Sequence, residues 1–349
     1  MLLASCDVCD MPSTTGDGID EDNNIYFTAI PAGNSSPSIF YSDNEGLRIT
    51  ELVKDGILYS APSENNYVAF MRKNKLTGID TLMLKNLNTQ IEIPVENESS
   101  LSSNILFPKL SSNGRYIMFK NGEGMLYIYD RSSSVLNIIT SSFKVGSNAS
   151  FSHDAGYFAY LTENAGVINL IVKQTSDYEN NVFKSEFTGY ELNDDYGFTI
   201  NWSDDNEQLI FALTKDSNDV IIQVSPFAKT VKTYDIDIAE LGAQTPDLSP
   251  DKKKVIFCSK DNKIWLIRTD EKEELFYQIT TESGEFAAYP QWMHEGSTII
   301  YSSFGDKNKK FEELNTSDVY LSGVDFSNNN VSLNYKYLIS NSAYRAFLR

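Results

Sequence analysis

A ring of four-stranded antiparallel sheets, an all-β propeller, is the fold this 349-residue sequence predicts, and three observations predict it. A turn followed by a short strand recurs six times at intervals of 41 to 51 residues, close to the period of a four-stranded blade. Each recurrence ends on an aromatic: Pro62 to Phe70, Ser111 to Phe119, Ser152 to Tyr160, Ser203 to Phe211, Ser249 to Phe257 and Met293 to Tyr301. The strands are rich in Val, Ile, Phe and Tyr, which suit a pleated surface. Several, such as 209–213, are apolar on both faces, as sheets stacked around an axis require.

In chain order, residues 1–23 are small, polar and acidic and read as a tether rather than core. Residues 25–29, 38–41 and 47–50 read as the last three strands of a blade that lacks its own first strand. The six anchor turns follow, built of Ser, Asn, Asp and Gly because these residues tolerate turn dihedrals and bond their own backbone. The innermost strand precedes each anchor and twice ends in tryptophan, Trp202 and Trp292. Third strands are expected at 125–129, 168–172, 220–224, 264–267 and 318–321, and outer strands closing on Thr140, Thr280 and Ser340. Residues 343–348 are then a spare strand. Placing it inside the incomplete first blade closes the ring, so residues 24–349 form a single propeller domain of seven blades; six is the alternative if the first blade is an accessory hairpin.

Leu3-Ala4-Ser5-Cys6 resembles the bacterial lipobox, although no basic region or apolar core of 7 to 15 residues precedes it. The expectation is that the sequence begins inside a signal peptide, that Cys6 is the lipid anchor and that the acidic tail is its tether. Cys6 and Cys9 form a lone CxxC without a second pair, which is a weak metal signal. The acidic run from Asp20 does not make a calcium loop, because Ile25 and Pro31 stand where glycine and glutamate are needed. Cys258, in an apolar run, reads as a buried structural thiol.

The repeats are similar to the TolB-type propeller repeat, whose pattern is Trp-Ser-Pro-Asp-Gly-Lys-x-Ile-x-Phe followed by Asp-Ile-Tyr. Trp202-Ser203-Asp-Asp205, Pro246-Asp-Leu-Ser249-Pro250-Asp251, Pro290-Gln-Trp292 and Asp318-Val-Tyr320 carry the match. The resemblance implies fold, not activity, because this propeller serves as periplasmic scaffold, peptidase filter domain and, in a few cases, lyase. No Gly-x-Ser-x-Gly elbow occurs in the sequence, and no residue is carried over as catalytic.

Composition narrows the function. A formal charge of −19 opposes phosphate contacts, so no nucleic-acid partner is expected. No run of about 18 apolar residues is present, so a lipid anchor is the expected route to a membrane. Both histidines, His153 and His294, fall at the second position of an anchor turn and read as turn residues, so neither metal nor cofactor is expected. Loop length points to the partner surface: Tyr190, Asp194, Asp195 and Tyr196 in the loop 189–197, and Phe304, Lys307, Lys309, Lys310 and Phe311 in the longest loop, 304–317. The sequence thus favours a non-enzymatic, monomeric lipoprotein of the bacterial envelope that binds a protein partner. A binder of carbohydrate or peptidoglycan fragments and a carboxylate-based lyase or hydrolase are the alternatives.

Overall fold

One backbone turn starts six of the blades, and in five of them, all but the one anchored on Met293, a serine hydroxyl reinforces it. A serine before the second strand uses its Oγ to accept a later N–H: Ser111 from Tyr116, Ser152 from Tyr157, Ser203 from Gln208 and Ser249 from Lys254, each at 2.9 Å. The same hydroxyls donate to the side chain two residues on, Asn113, Asp154, Asp205 and Asp251, at 2.6 to 2.8 Å. The residue three beyond the anchor donates its N–H to the anchor carbonyl and has positive φ: Asn66, Gly114, Ala155, Asn206, Lys252 and Gly296. Glycine suits that position, as it carries no Cβ to strain. In the first of these turns Ser63, not Pro62, is the anchor, since Ser63 Oγ accepts Tyr67 N–H at 3.0 Å. That turn is one residue shorter than the others, which shifts the sequence alignment there by one position.

The computed structural model describes residues 24–43, 48–73, 78, 80–95, 105–140, 145–192, 200–236, 242–269, 276–279, 286–304, 317–326, 331–334 and 336–348. They form seven antiparallel blades, and no helix occurs among them. Blade 1 contains β1 (Ile25–Ala29), β2 (Ser38–Ser42) and β3 (Ile49–Val53). Blade 2 is β4 (Ile57–Leu58), β5 (Tyr67–Lys73), β6 (Asp80–Asn86) and β7 (Glu92–Pro94). Blade 3 is β8 (Leu106–Leu110), β9 (Tyr116–Lys120), β10 (Leu126–Asp130) and β11 (Val135–Thr140). Blade 4 is β12 (Val145–Phe151), β13 (Tyr157–Asn164), β14 (Val167–Gln174) and β15 (Asp177–Thr188). In blade 5 the inner position is shared by β16 (Tyr190–Glu191) and β17 (Asn201–Trp202), followed by β18 (Leu209–Lys215), β19 (Asn218–Ser225) and β20 (Thr230–Asp235). Blade 6 is β21 (Gln244–Leu248), β22 (Lys254–Cys258), β23 (Ile264–Arg268) and β24 (Phe276–Gln278). Blade 7 is β25 (Phe286–Trp292), β26 (Thr298–Phe304) and β27 (Ser317–Asp325), with β28 (Ser332–Leu333) beside β27 and β29 (Tyr337–Leu348) outermost.

β29 closes the ring. Its first half pairs with β27 as the outer strand of blade 7, and its second half pairs with β1 as the missing inner strand of blade 1. The sequence divides this segment into an outer strand and a spare one; the backbone runs through both as a single strand of 12 residues. Between successive blades lies a layer of apolar side chains, and the layer between blades 7 and 1, including Ile25, Phe27, Ile300 and Val319, is as deeply buried as the rest. The aromatics that end the anchor strands, Phe70, Phe119, Tyr160, Phe211, Phe257 and Tyr301, all belong to these layers. Two-sided burial explains the apolar runs: four of the five residues of 209–213 are buried. Cys258 is buried as expected, and burial pushes its thiol well above the usual range.

Between β9 and β10, the Arg115 guanidinium grips Asp130 with two hydrogen bonds of 3.0 and 2.8 Å. With the Ser132 N–H and hydroxyl, it holds the buried Asp130 carboxyl far below the ordinary value. A depressed carboxyl contributes stability that is present above the unfolded-state value near 3.9 and is lost as pH falls toward the folded value. Asp130→Asn is expected to cost about 1–3 kcal/mol at neutral pH. It should also flatten the decline in melting temperature below pH 4, as measured by scanning calorimetry.

Candidate functional site

The inner strands converge on the propeller axis, and their sequences decide what faces it. In β8, β21 and β25 a residue with positive φ stands immediately before proline: Phe107-Pro108, Thr245-Pro246 and Tyr289-Pro290, with φ of +52°, +46° and +52°. Each marks a register shift against the second strand. Such bulges bend the strand and re-aim the side chains that follow. Two residues before the anchors come Lys109, Ser150, Asn201, Asp247 and Gln291. Three of them lace neighbouring blades through backbone carbonyls: Lys109 Nζ donates to Ala149 O at 2.6 Å, Asn201 Nδ2 to Pro246 O at 2.9 Å and Gln291 Nε2 to Ala346 O at 2.9 Å. Asp247 accepts instead, taking the Trp292 N–H at 2.8 Å.

Above this girdle an axial funnel of about 570 Å³ opens on the face of the anchor turns. Its wall is formed in tiers. The girdle residues form the first, the residues just before the anchors (Leu110, Phe151, Trp202, Leu248 and Trp292) the second, and the residues just after them the third. That third tier, the rim, reads Glu64, Ser112, His153, Asp204, Pro250 and His294 around blades 2 to 7. Tyr59, Ala61, Pro62, Phe347 and Leu348 make the side formed by blades 1 and 2 mostly apolar.

The two histidines are turn residues, as expected, and both reach the anchor turn of blade 5. His294 Nδ1 donates to Asp204 Oδ2 at 3.0 Å, spanning from blade 7 to blade 5 past Pro250. His153 Nε2 donates to Trp202 O at 3.2 Å, and its backbone N–H is accepted by Asn206 Oδ1 at 2.6 Å. Burial acts to raise the Asp204 carboxyl, but the His294 hydrogen bond and the nearby His153 outweigh it and hold the group below the ordinary value. The next turn residue, Asp205, is held at about 2: burial opposes, while Lys252, Ser203 and the Glu207 N–H donate to it. Among the described residues no group of three or more His, Cys, Asp or Glu side chains is arranged to hold a metal ion. No helix among them is long and apolar enough to cross a membrane.

The partner residues expected from loop length lie elsewhere. In a blade, the connection from strand two to three and the connection to the next blade emerge on the face opposite the anchor turns, so Tyr190 and Phe304 belong to the far side of the ring. Tyr190 is in β16, paired with Lys215, and packs edge-on against Phe187 with a centroid distance of 5.7 Å. Phe304 ends β26 and is buried with Cys258, Ala288 and Tyr289, so its side chain is core rather than contact surface. Cys6, Asp194, Asp195, Tyr196, Lys307, Lys309, Lys310 and Phe311 lie outside the described residues. The funnel residues escape a linear reading because each is one ordinary turn or strand residue per blade. Reading the repeats as columns, at fixed offsets from the anchor, collects all three tiers.

No protein-family model matches the chain, and no curated protein sequence is similar to it. Solved structures do resemble it. A candidate 6-phosphogluconolactonase from Bacteroides uniformis is 14% identical with a TM-score of 0.60, the alignment covering 94% of this chain and all of that one. Hsv2 from Kluyveromyces lactis is 13% identical with a TM-score of 0.59, covering 91% of this chain and all of that one. A candidate TolB from Agrobacterium tumefaciens is 17% identical with a TM-score of 0.47, covering 77% of this chain and 97% of that one. At these identities the first two share with this chain its fold alone, and the chain is a seven-bladed β-propeller.

Proposed function

We propose that this propeller is a non-enzymatic binding module of the bacterial cell envelope that receives a segment of a protein partner in its axial funnel. The observation that carries the reading is the funnel itself. It is a concave site of about 570 Å³, apolar on one side and polar on the other, and hydrogen bonds between blades lace the base of its wall. Preformed concavities that mix apolar walls with a few fixed polar groups are where ligands bind. A carbohydrate ligand is less well served. Trp202 and Trp292 are only 5% and 6% exposed, so their rings are committed to the layers between blades and offer no open face for stacking.

The address rests on the Leu3-Ala4-Ser5-Cys6 resemblance to a lipobox and on the TolB-like repeat pattern. Expression from the full gene with labelled palmitate tests it: label on Cys6 supports a lipid-anchored protein, and an unlabelled chain released into buffer without detergent opposes it. The binding site is tested by a photo-crosslinking residue placed at Tyr59 on the funnel wall or at Tyr190 on the far face. The partner is expected to be captured from position 59. Capture from position 190 alone would overturn the assignment.

A further inference from the structure

The charge of the funnel wall selects the ligand, an inference that rests on the binding reading above. Among the described lining residues the carboxylates are Glu64, Asp204 and Asp247, and the ammonium group is Lys109. Lys109 and Asp247 both belong to the girdle tier, where their opposite charges offset one another, and no lysine or arginine stands among the described rim residues. Glu64 and Asp204 stand on the rim, on blades 2 and 5, and both are exposed. Asp204 accepts the hydrogen bond of His294 Nδ1 at 3.0 Å, so its negative charge is presented while the imidazole is neutral and is offset once the imidazole is protonated. The rim therefore presents negative charge on both sides of an opening whose blade 1 and 2 wall is apolar. A cleft lined by one sign of charge focuses the field of the whole molecule, and the whole molecule carries −19. Anionic segments are repelled from such an opening and cationic ones are drawn in.

Two occupants close at hand are disfavoured on the same grounds. The chain's own segment 1–23 contains Asp7, Asp10, Asp17, Asp20, Glu21 and Asp22 but no lysine or arginine. A second copy of the chain brings another net charge of −19. The occupant that fits is a different polypeptide, with a lysine or arginine beside apolar residues. We propose that the funnel binds such a basic, partly apolar segment, with Glu64 and Asp204 reading its positive charge and the wall of Tyr59, Ala61, Pro62 and Phe347 taking its apolar neighbours.

The test is a displayed random decapeptide library selected on the whole protein, with winners remade as synthetic peptides and measured by calorimetry. Winners enriched in Lys and Arg over the input library are expected. Their affinity should fall at least tenfold between 50 and 300 mM salt, by screening of charge on the order of the Debye length, and at least tenfold on the double variant Glu64→Lys, Asp204→Lys. Both positions are exposed, and circular dichroism of the variant verifies that it is folded; Asp204→Asn, a milder change, should give a smaller loss in the same direction. Winners that are neutral or acidic, or that bind the reversed-charge variant equally well, would overturn the charge assignment while leaving a peptide-binding funnel standing. Failure of the library to yield any peptide that competes with photo-crosslinking at position 59 would overturn both.

Discussion

Deletion of residues 343–349 abolishes cooperative unfolding. This is the largest effect the structure predicts, because the segment serves two blades. It fills the inner place of blade 1 through pairs such as Tyr26 with Phe347 and Phe27 with Ala346, and it continues without interruption from the outer strand of blade 7. Without it Ile25, Tyr26 and Phe27, which are at most 1% exposed, face the axis uncovered, and the ring loses its only covalent route across the seam between blades 7 and 1. The expected thermal profile is broad and shallow in place of a single transition. Phe347→Ala keeps the strand and removes one ring, so it should retain a single transition and cost about 3–5 kcal/mol. An unchanged melting transition in the deletion would show that blade 1 is not closed by this strand.

The second large effect is Phe257→Ala, expected to destabilise by about 3–5 kcal/mol. Phe257 is fully buried in the layer between blades 5 and 6, with Ile210, Ile221, Val255 and Ile267 around it. Truncation there leaves a cavity that the flanking sheets cannot fill, since both are pinned by their own strand pairing. Ile138→Ala is the contrasting control. Ile138 is 59% exposed on the outer strand of blade 3, and its truncation should stay within about 0.5 kcal/mol. Chemical denaturation of the two variants separates a residue that builds a layer from one that merely sits in a strand.

Much of this architecture was legible because it repeats. The Ser hydroxyl, the Asp or Asn two residues on and the positive-φ residue three on are local chemistry, readable in any one turn, and recurrence at blade spacing gave the ring. Ring closure was legible because residues 343–348 were one strand too many at one end and residues before Ile25 one too few at the other. The misplaced anchor, Pro62 for Ser63, came from a turn shortened by one residue, which the bonds of Ser63 to Tyr67 and Asn66 reveal. The site was much less legible. Glu64, His153, Asp204 and His294 are separated by dozens of residues, and nothing local distinguishes them from solvated turn residues. Loop length drew attention to the other face, where Phe304 proves to be core and Tyr190 a strand residue.

The electrostatics also change meaning once the ring is built. The −19 charge, in sequence an argument against nucleic acid, becomes the field around a funnel whose own carboxylates stand at the mouth. His294 and Asp204, far apart in the chain, are brought to 3.0 Å because turns at equivalent positions of a propeller all border one opening. A repeat fold thereby makes a composite site from residues that share a column rather than a motif.

Amide hydrogen exchange with and without a bound decapeptide tests the central claim most directly. The account predicts slowed exchange at the anchor turns of blades 2 to 7, around Glu64, Ser112, His153, Asp204 and His294, and none at the far-face ends of β16 and β26. Protection confined to the far face, with the anchor turns unchanged, would contradict it.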